Sequence, residues 1–285
     1  MKSGTTYLTK LLSEHPSIFM GSLEEPSYFV APEYLRKYFY TQWKEGLWEE
    51  ERRYLALFAG ARHEKYVGEG STNYAKFPMI PGVPEAISRF NPEARFIYLL
   101  RDPVKRTISH YWHNLRYHAE NRPMLEAVRD DGEYLAVSHY AMQLKRFAEI
   151  FGLEKILVLT FEDLTQSPEL ALPALFSSLE IDEAFVPPGL DKPEHSTPSV
   201  VERARGLGVL KTLRRSEAWD KISPLIPRKI RSVGTRLAET EVEIRSVETD
   251  QVVDFLRPIQ RDQVEELCTL TGSSFPKWTT LYGEQ

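Results

Sequence analysis

The sequence predicts a three-layer α/β domain in which helices flank a central, mainly parallel β-sheet. Short apolar runs alternate along the chain with longer stretches of helical periodicity, the pattern of strands joined by crossover helices. Two of these runs, residues 95–100 and 155–161, are apolar on both faces and therefore predict buried parallel strands. A chain of 285 residues can bury one large core, so we expect a single domain over residues 1–285.

The first predicted helix begins in a loop of small and polar residues, residues 2–6. Apolar residues recur after this loop at helical spacing, at Tyr7, Leu8, Leu11 and Leu12. We expect the helix to end near His15, because the residue before Pro16 avoids helical geometry. A loop of this kind ordinarily follows a buried strand. Since Met1 leaves no room for one, we expect the first strand to be missing upstream of residue 1, the sequence being a fragment or a truncated reading frame.

The later elements repeat the pattern of strand, loop and helix. Residues 65–69 predict a short strand that ends in a polar loop at residues 70–73. The strand at residues 95–100 ends at Arg101, and a helix follows. On a helical wheel its apolar face holds Ile108, Tyr111, Trp112 and Leu115, and its polar stripe holds Arg106, Ser109, His113 and Arg116. We therefore expect Ser109 to face a ligand while the apolar face packs.

Composition limits the classes of partner. The 36 basic and 41 acidic residues give a formal charge of −5, which argues against nucleic acid or an anionic membrane as a partner and makes any anion site local. The only cysteine, Cys268, excludes an internal disulfide and a cysteine-based zinc site, and it favours a reducing compartment, the cytoplasm by default. We find no apolar run with the length of a transmembrane segment and no leader sequence, which agrees with that expectation.

We divide the single domain into three parts. Residues 1–165 carry the motifs described below, residues 195–255 are expected to be helical and locally basic, and residues 256–285 form the C-terminal part. Residues 203–236 hold ten Lys or Arg against two acidic residues, a local excess of roughly +8. We interpret this excess as solvated helix faces balanced by the acidic stretch at residues 239–254, in preference to contact with an acidic partner or a membrane.

The opening loop has the composition of an anion-binding site. A helix start carries unpaired backbone N–H groups and the positive end of the helix dipole, which together bind phosphate or sulfate. The residues that can wrap such an anion are Lys2, Ser3, Gly4, Thr5 and Thr6. The ammonium group of Lys2 adds charge, and the hydroxyl groups add hydrogen-bond donors.

A second candidate anion site lies at the end of the strand at residues 95–100. Ligands of open α/β sheets bind at the carboxyl ends of the strands, and the guanidinium group of Arg101 can grip a phosphate in a fork. Together with Ser109, Arg101 would form a phosphate clamp. The alternative is that Arg101 pairs with Asp102 and that Ser109 bonds its own backbone. The anion chemistry of the opening loop favours the clamp.

Residues 2–6, together with the spacing from Arg101 to Ser109, resemble the two signature motifs of sulfotransferases that use 3′-phosphoadenosine 5′-phosphosulfate (PAPS). The resemblance implies a P-loop-like fold in which the first motif binds the 5′-phosphosulfate and the second binds the 3′-phosphate. It also implies PAPS as donor, adenosine 3′,5′-bisphosphate as product, and no requirement for a metal. A weaker similarity to heparan-sulfate-type and bacterial sulfotransferases continues through residues 24–29, 68–74, 161–164 and 256–278.

The same resemblance implies a glutamate as the catalytic base, in the position of Glu25. Glu25 lies three residues before Tyr28, which is the family's spacing, whereas Glu24 would serve if the alignment slipped by one residue. A positioned carboxylate can take the acceptor's proton as the acceptor attacks in line. A fixed ammonium such as Lys2 can stabilise the charge that develops on the bridging oxygen.

Histidines are a weaker alternative for the base, at positions 15, 63, 110, 113 and 195. His15 precedes a proline at a helix end, while His110 and His113 are expected on a helix surface. None of them shows the paired spacing of metal ligands, so no metal site is predicted.

The sequence is compatible with several classes of sulfuryl acceptor. Glu69 and Ser71 follow a predicted strand and are candidates either for binding the acceptor or for a structural role. The heparan-type enzymes carry a lysine where this chain has Gly70, so their anionic polysaccharide specificity is not carried over. We expect a hydroxyl or amine on a small molecule or a glycan. The sequence does not predict an oligomeric state.

Two other classes of function stay open at this stage. A phosphotransferase of the related nucleotide-kinase architecture would bind ATP phosphates by the same strand-loop-helix logic. The chain lacks the GxxxxGK[ST] loop, however, because its lysine precedes the glycine. A non-catalytic nucleotide-binding or interaction protein is the third alternative.

Overall fold

The computed structural model describes residues 2–117, 120–190, 200–204, 239–243 and 246–283. The helices of these ranges are α1 (Thr5–Ser13), α2 (Pro32–Tyr38), α3 (Tyr40–Glu45), α4 (Glu51–Leu55), α5 (Val83–Phe90), α6 (Pro103–Tyr117), α7 (Met124–Asp130), α8 (Gly132–Ala136), α9 (Tyr140–Phe151), α10 (Phe161–Gln166), α11 (Pro168–Ser178), α12 (Ser246–Thr271) and α13 (Thr279–Tyr282). Short 3₁₀ helices lie at Leu47–Glu49, Ala56–Phe58, Thr72–Ala75 and Leu153–Lys155. The strands are β1 (Ile18–Met20), β2 (Tyr66–Gly68), β3 (Phe96–Leu100), β4 (Ile156–Thr160), β5 (Val200–Ala204) and β6 (Glu239–Glu243).

The strands form three pairs within the described residues. β1 and β2 are parallel, β3 and β4 are parallel, and β5 and β6 are antiparallel. Strands β2, β3 and β4 and the end of α1 confirm the sequence predictions, whereas β1, only three residues long, was not predicted. β2 and β3 do not pair, so the expected central sheet is split here into two parallel pairs. A cavity of about 210 Å³ is lined by both the edge of β3 and the loop after β2.

Apolar packing joins the two elements that carry the candidate motifs. One cluster packs α6 against α7, α9, α12 and α13, with Trp278 fully buried. A second cluster joins α1 to β1, β3, β4 and α11, with Leu11 fully buried. β3 contributes Leu100 to the first cluster and Leu99 to the second. The start of α1 and the start of α6 are therefore anchored to the same strand.

The polar stripe predicted on α6 is wrong at Arg106, and so is the surface position predicted for His110. Each of these residues is 1% exposed. The guanidinium group of Arg106 donates to the carbonyl oxygen of Tyr134 in α8 and to the hydroxyl of Ser138 just after it. The wheel failed because it assumed that the polar side of α6 faces solvent, whereas α8 packs on it.

Residues 195–255, which were expected to be helical, include β5, β6 and the start of α12. The two strands correct that expectation over their own lengths. Val201 lies opposite Val242 in their register, and β-branched residues favour strands. The basic stretch at residues 203–236 lies almost entirely outside the described residues.

Candidate active site

The loop that precedes α1 has the backbone of an anion cradle. Gly4 is the N-cap of α1 and has a φ of 88°, in the left-handed region that glycine tolerates best. A Cβ atom at this position would lie 2.5 Å from the ring of Phe161. The N-cap Gly4 has no side chain, so it cannot itself cap the first N–H groups of the helix. Helix α1 therefore begins directly after the loop, as the sequence predicted, and the anion site stays a prediction.

Arg101 reaches this loop from the end of β3. Its Nη1 atom donates a 3.0 Å hydrogen bond to the carbonyl oxygen of Lys2. Its guanidinium carbon lies 5.1 Å from the centre of the Phe161 ring. Its Nε atom is buried and has no hydrogen-bond partner among the described residues. A buried donor without a partner is rare in proteins, and a bound anion would supply the missing acceptor.

Asp102 does not pair with Arg101, contrary to one alternative reading of this segment. One oxygen of its buried carboxylate accepts hydrogen bonds from the first turn of α6, and the other accepts from the backbone of α13. The donors are the N–H groups of Val104, Lys105, Thr280 and Leu281, at 3.0, 3.2, 3.0 and 3.1 Å. The carboxylate thus caps α6 and fixes it to the C-terminal part of the chain.

Glu162 completes this anchor. It accepts a 3.1 Å hydrogen bond from the N–H of Asp102 and another of 3.1 Å from the indole nitrogen of Trp278. Burial raises the pKa of Glu162 above its usual range. The weak sequence similarity at residues 161–164 and 256–278 therefore coincides with contacts that hold the second motif in place.

Ser109 lies on α6 and is 6% exposed. Its hydroxyl has no hydrogen-bond partner in the part of the chain that the structure describes, and no bond to its own backbone. The structural alternative considered for this serine is therefore not observed. Like Arg101, it has hydrogen-bonding capacity left for a ligand.

Two carboxylates lie beside the opening loop. Glu24 is exposed and accepts a 2.9 Å hydrogen bond from the hydroxyl of Thr6. Glu25 is half-buried and accepts a 2.9 Å hydrogen bond from the hydroxyl of Thr72. Burial lowers the pKa of Lys2, the positive charge of Arg101 lowers it further, and the negative charge of Glu25 opposes both effects. Arg101 and Glu25 thus both lie close enough to Lys2 to influence its charge.

Glu69 and Ser71 are placed differently. Both oxygens of Glu69 are occupied, one by the hydroxyl of Tyr74 and the other by the hydroxyl of Ser71 at 2.7 Å. Ser71 accepts a 2.9 Å hydrogen bond from the N–H of Ser27. Burial raises the pKa of Glu69. These contacts favour the structural role over acceptor binding.

Sequence reasoning missed Lys76. This lysine is 4% exposed, its ammonium nitrogen lies 3.6 Å from a carboxylate oxygen of Glu133, and it lies 4.6 Å from the ring centre of Phe39. Burial lowers the pKa of Lys76, while the charges of Glu133 and Glu25 oppose that shift. Lysine is rarely buried, so composition alone offered no signal for this position.

The described ranges contain no cluster of metal ligands and no helix suited to crossing a membrane. No group of three or more His, Cys, Asp or Glu side chains there is arranged to hold a metal ion. Among the helices of the same ranges, none combines the length and apolar character that crossing a membrane requires.

The loop, the strand-end arginine and the adjacent carboxylate lie together in an α/β fold. Residues 1–185 match the model of the sulfotransferase family, and the chain belongs to that family. The sulfotransferase from Alicyclobacillus acidocaldarius has a similar fold, with a TM-score of 0.68, 22% sequence identity, and coverage of 97% of this chain and 94% of that one.

Two curated relatives agree with this family assignment. The chain is 32% identical over 127 residues to the membrane-associated sulfotransferase kil1 of Dictyostelium discoideum, which covers 44% of this chain and 24% of that protein. It is 23% identical over 199 residues to the bifunctional heparan sulfate N-deacetylase/N-sulfotransferase 1 of Caenorhabditis elegans, covering 64% and 21% of the two chains. The matched region thus spans about a quarter or less of each relative.

Proposed function

We propose that this protein transfers the sulfuryl group of PAPS to a hydroxyl or amine acceptor, with Glu25 as the general base. The observation that carries the proposal is that Arg101 and Glu25 both lie beside Lys2, in the loop that leads into α1. The phosphate loop of a nucleotide kinase places a glycine directly before its lysine, whereas the lysine of this chain precedes the glycine, Gly4.

The residues present fit the donor at two points. Lys2, Ser3, Gly4, Thr5 and Thr6 would hold the 5′-phosphosulfate at the start of α1, where N–H groups and the helix dipole favour an anion. Arg101 and Ser109 would hold the 3′-phosphate. The unpartnered Nε atom of Arg101 and the unbonded hydroxyl of Ser109 support this assignment.

Sulfuryl transfer requires a base to take the acceptor's proton and a cation to stabilise the leaving group. Glu25 would accept the acceptor's proton while the acceptor oxygen or nitrogen bonds to sulfur and the bond from sulfur to the bridging phosphate oxygen breaks. Lys2 would stabilise the charge left on that bridging oxygen. Thr72 holds one oxygen of Glu25, and the other oxygen has no hydrogen-bond partner among the described residues, so it can face an acceptor. Glu24, which is exposed and bonded to Thr6, is the less suitable base.

The acceptor class follows from the family only at a coarse level. We propose a small molecule or a glycan as acceptor. Glu69 was a candidate acceptor contact, but its occupied oxygens give no support to that role.

Titration calorimetry with adenosine 3′,5′-bisphosphate and with ATP tests the proposal, each with and without magnesium. We expect metal-independent binding of the bisphosphate that is at least about tenfold tighter than binding of ATP, a difference of about 1.4 kcal/mol. The variant Lys10→Ala, at the far end of α1, is the control and should bind the bisphosphate as the wild-type protein does. Tighter, magnesium-dependent ATP binding would favour the kinase alternative, and binding of neither nucleotide would favour an interaction protein.

A further inference from the structure

The loop that carries Glu25 has a strained backbone. Glu25 has a φ of 52° and Ser27 a φ of 53°, and both lie in the left-handed region that residues other than glycine seldom adopt. Pro26 separates them, so the two unusual conformations flank a residue whose own φ is restricted. Strain of this kind persists only where the surroundings impose it.

The contacts that impose this backbone on Glu25 and Ser27 come from the segment that follows β2. Ser27 is 0% exposed, its N–H donates a 2.9 Å hydrogen bond to the hydroxyl of Ser71, and its hydroxyl accepts one of 2.9 Å from the amide group of Asn73. The same hydroxyl donates at 3.3 Å to the carbonyl oxygen of Glu25. Ser71 in turn donates to half-buried Glu69. The backbone of the Glu25 loop is thus bonded to a buried polar network.

The side chain of Glu25 is held by the same segment. The hydroxyl of Thr72 donates a 2.9 Å hydrogen bond to its Oε2 atom. Thr72 is the first residue of the 3₁₀ helix at Thr72–Ala75, which also includes Asn73. One short element therefore orients both the backbone and the carboxylate of Glu25, and its position relative to β2 is set by Glu69.

We propose that Thr72 is a positioning residue for the general base, and that Asn73 and Ser27 maintain the strained backbone that presents Glu25. The inference rests on the proposed function, because it assigns these residues a role through Glu25. Thr72 aims the carboxylate by occupying one of its oxygens, and the other oxygen faces the acceptor. Bonds to a charged group restrain geometry more strongly than bonds between neutral groups.

Steady-state kinetics of Thr72→Val and Thr72→Ser test the proposal. Valine keeps the shape of threonine and removes the donor, so we expect kcat to fall by about tenfold or more, with the KM for PAPS and the affinity for adenosine 3′,5′-bisphosphate unchanged. Serine restores the donor and should recover most of kcat. Thr269→Val, in α12, removes a comparable hydroxyl bond far from the site and should leave kcat unchanged.

A second variant keeps the test decisive if Thr72→Val is unstable. Asn73→Ala should lower kcat in the same way at a temperature where the protein is folded and keeps its bisphosphate affinity. Unchanged kcat in both variants, in a protein that binds the bisphosphate, would overturn the positioning role and leave the proposed function standing. Failure of the wild-type protein to bind the bisphosphate would instead remove the proposed function and this inference with it.

Discussion

Arg101 and Arg106 lie five residues apart, at and just after the end of β3, and their guanidinium groups differ in their hydrogen-bond partners. Arg106 is 1% exposed, and all three of its guanidinium nitrogens have partners: Ser138, His110, Thr107 and the carbonyl oxygen of Tyr134. Within the described residues, the guanidinium group of Arg101 donates to the carbonyl oxygen of Lys2, and its buried Nε atom has no partner.

The contrast separates a structural arginine from one that is available to a ligand. Buried polar atoms are nearly always hydrogen-bonded, so a fully bonded guanidinium such as that of Arg106 contributes to the fold. A guanidinium with bonding capacity left, beside an uncapped helix start, is suited to an anion. Residue type alone does not make this distinction, since both arginines belong to the same motif.

Replacing Arg101 gives the largest expected effect and tests the ligand side of the comparison. We expect Arg101→Ala to weaken binding of adenosine 3′,5′-bisphosphate by about 10- to 100-fold, because a charge-assisted hydrogen bond is lost, worth about 1.5–3 kcal/mol. The thermal midpoint should change little. Arg95→Ala, just before β3, is the matched control for calorimetry. Equal losses in the two variants would contradict the assignment of Arg101.

Replacing Arg106 tests the structural side. Arg106→Met leaves buried oxygens without donors, and we expect the free energy of unfolding to fall by about 1–3 kcal/mol in urea denaturation. The bisphosphate affinity of the folded protein should be unchanged. Arg129→Met makes the same substitution on the exposed side of α7 and serves as the control for Arg106→Met. Weaker binding at unaltered stability would reverse the comparison between the two arginines.

The smallest expected effect is a pH dependence of the free energy of unfolding, which arises from His110 beside Arg106. His110 is buried, and burial and the positive charges of Arg106 and Lys76 hold its pKa well below the ordinary 6.5. Below pH 6.5 the unfolded chain therefore binds a proton at His110 that the folded chain does not bind. The contribution of His110 to the free energy of unfolding is thus complete above pH 6.5 and is lost as the pH falls below that value. We expect the unfolding free energy to be about 1.4 kcal/mol lower at pH 5.5 than at pH 7.5 from this group.

Urea titrations at the two pH values measure this difference, and His110→Gln isolates it. Glu69 and Glu162 have raised pKa values, which act in the opposite direction on acidification, but both are retained in the variant. The pH slope should therefore decrease in the variant. An identical slope in the two proteins would show that His110 is not the responsible group.

Sequence patterns were accurate where the cause is local. Gly4 was identified from the composition of a helix start, and its left-handed backbone and contact with Phe161 explain why glycine stands there. Strands β3 and β4 were recognised from their continuous apolar runs, although only the last two residues of each strand are buried. β1 was missed because three residues show no measurable period, and Arg106 was misplaced because the helical wheel does not include α8.

Local sequence is enough to predict helix α1 and the strand that presents Arg101, because backbone preference and periodicity act between near neighbours. It does not show which polar groups end without partners. Glu162 reaches Trp278 across 116 positions, and Thr72 reaches Glu25 across 47. Such bonds depend on how distant elements pack, so tertiary structure alone decides that Arg106 is satisfied, that Arg101 is not, and that Glu25 is held in place.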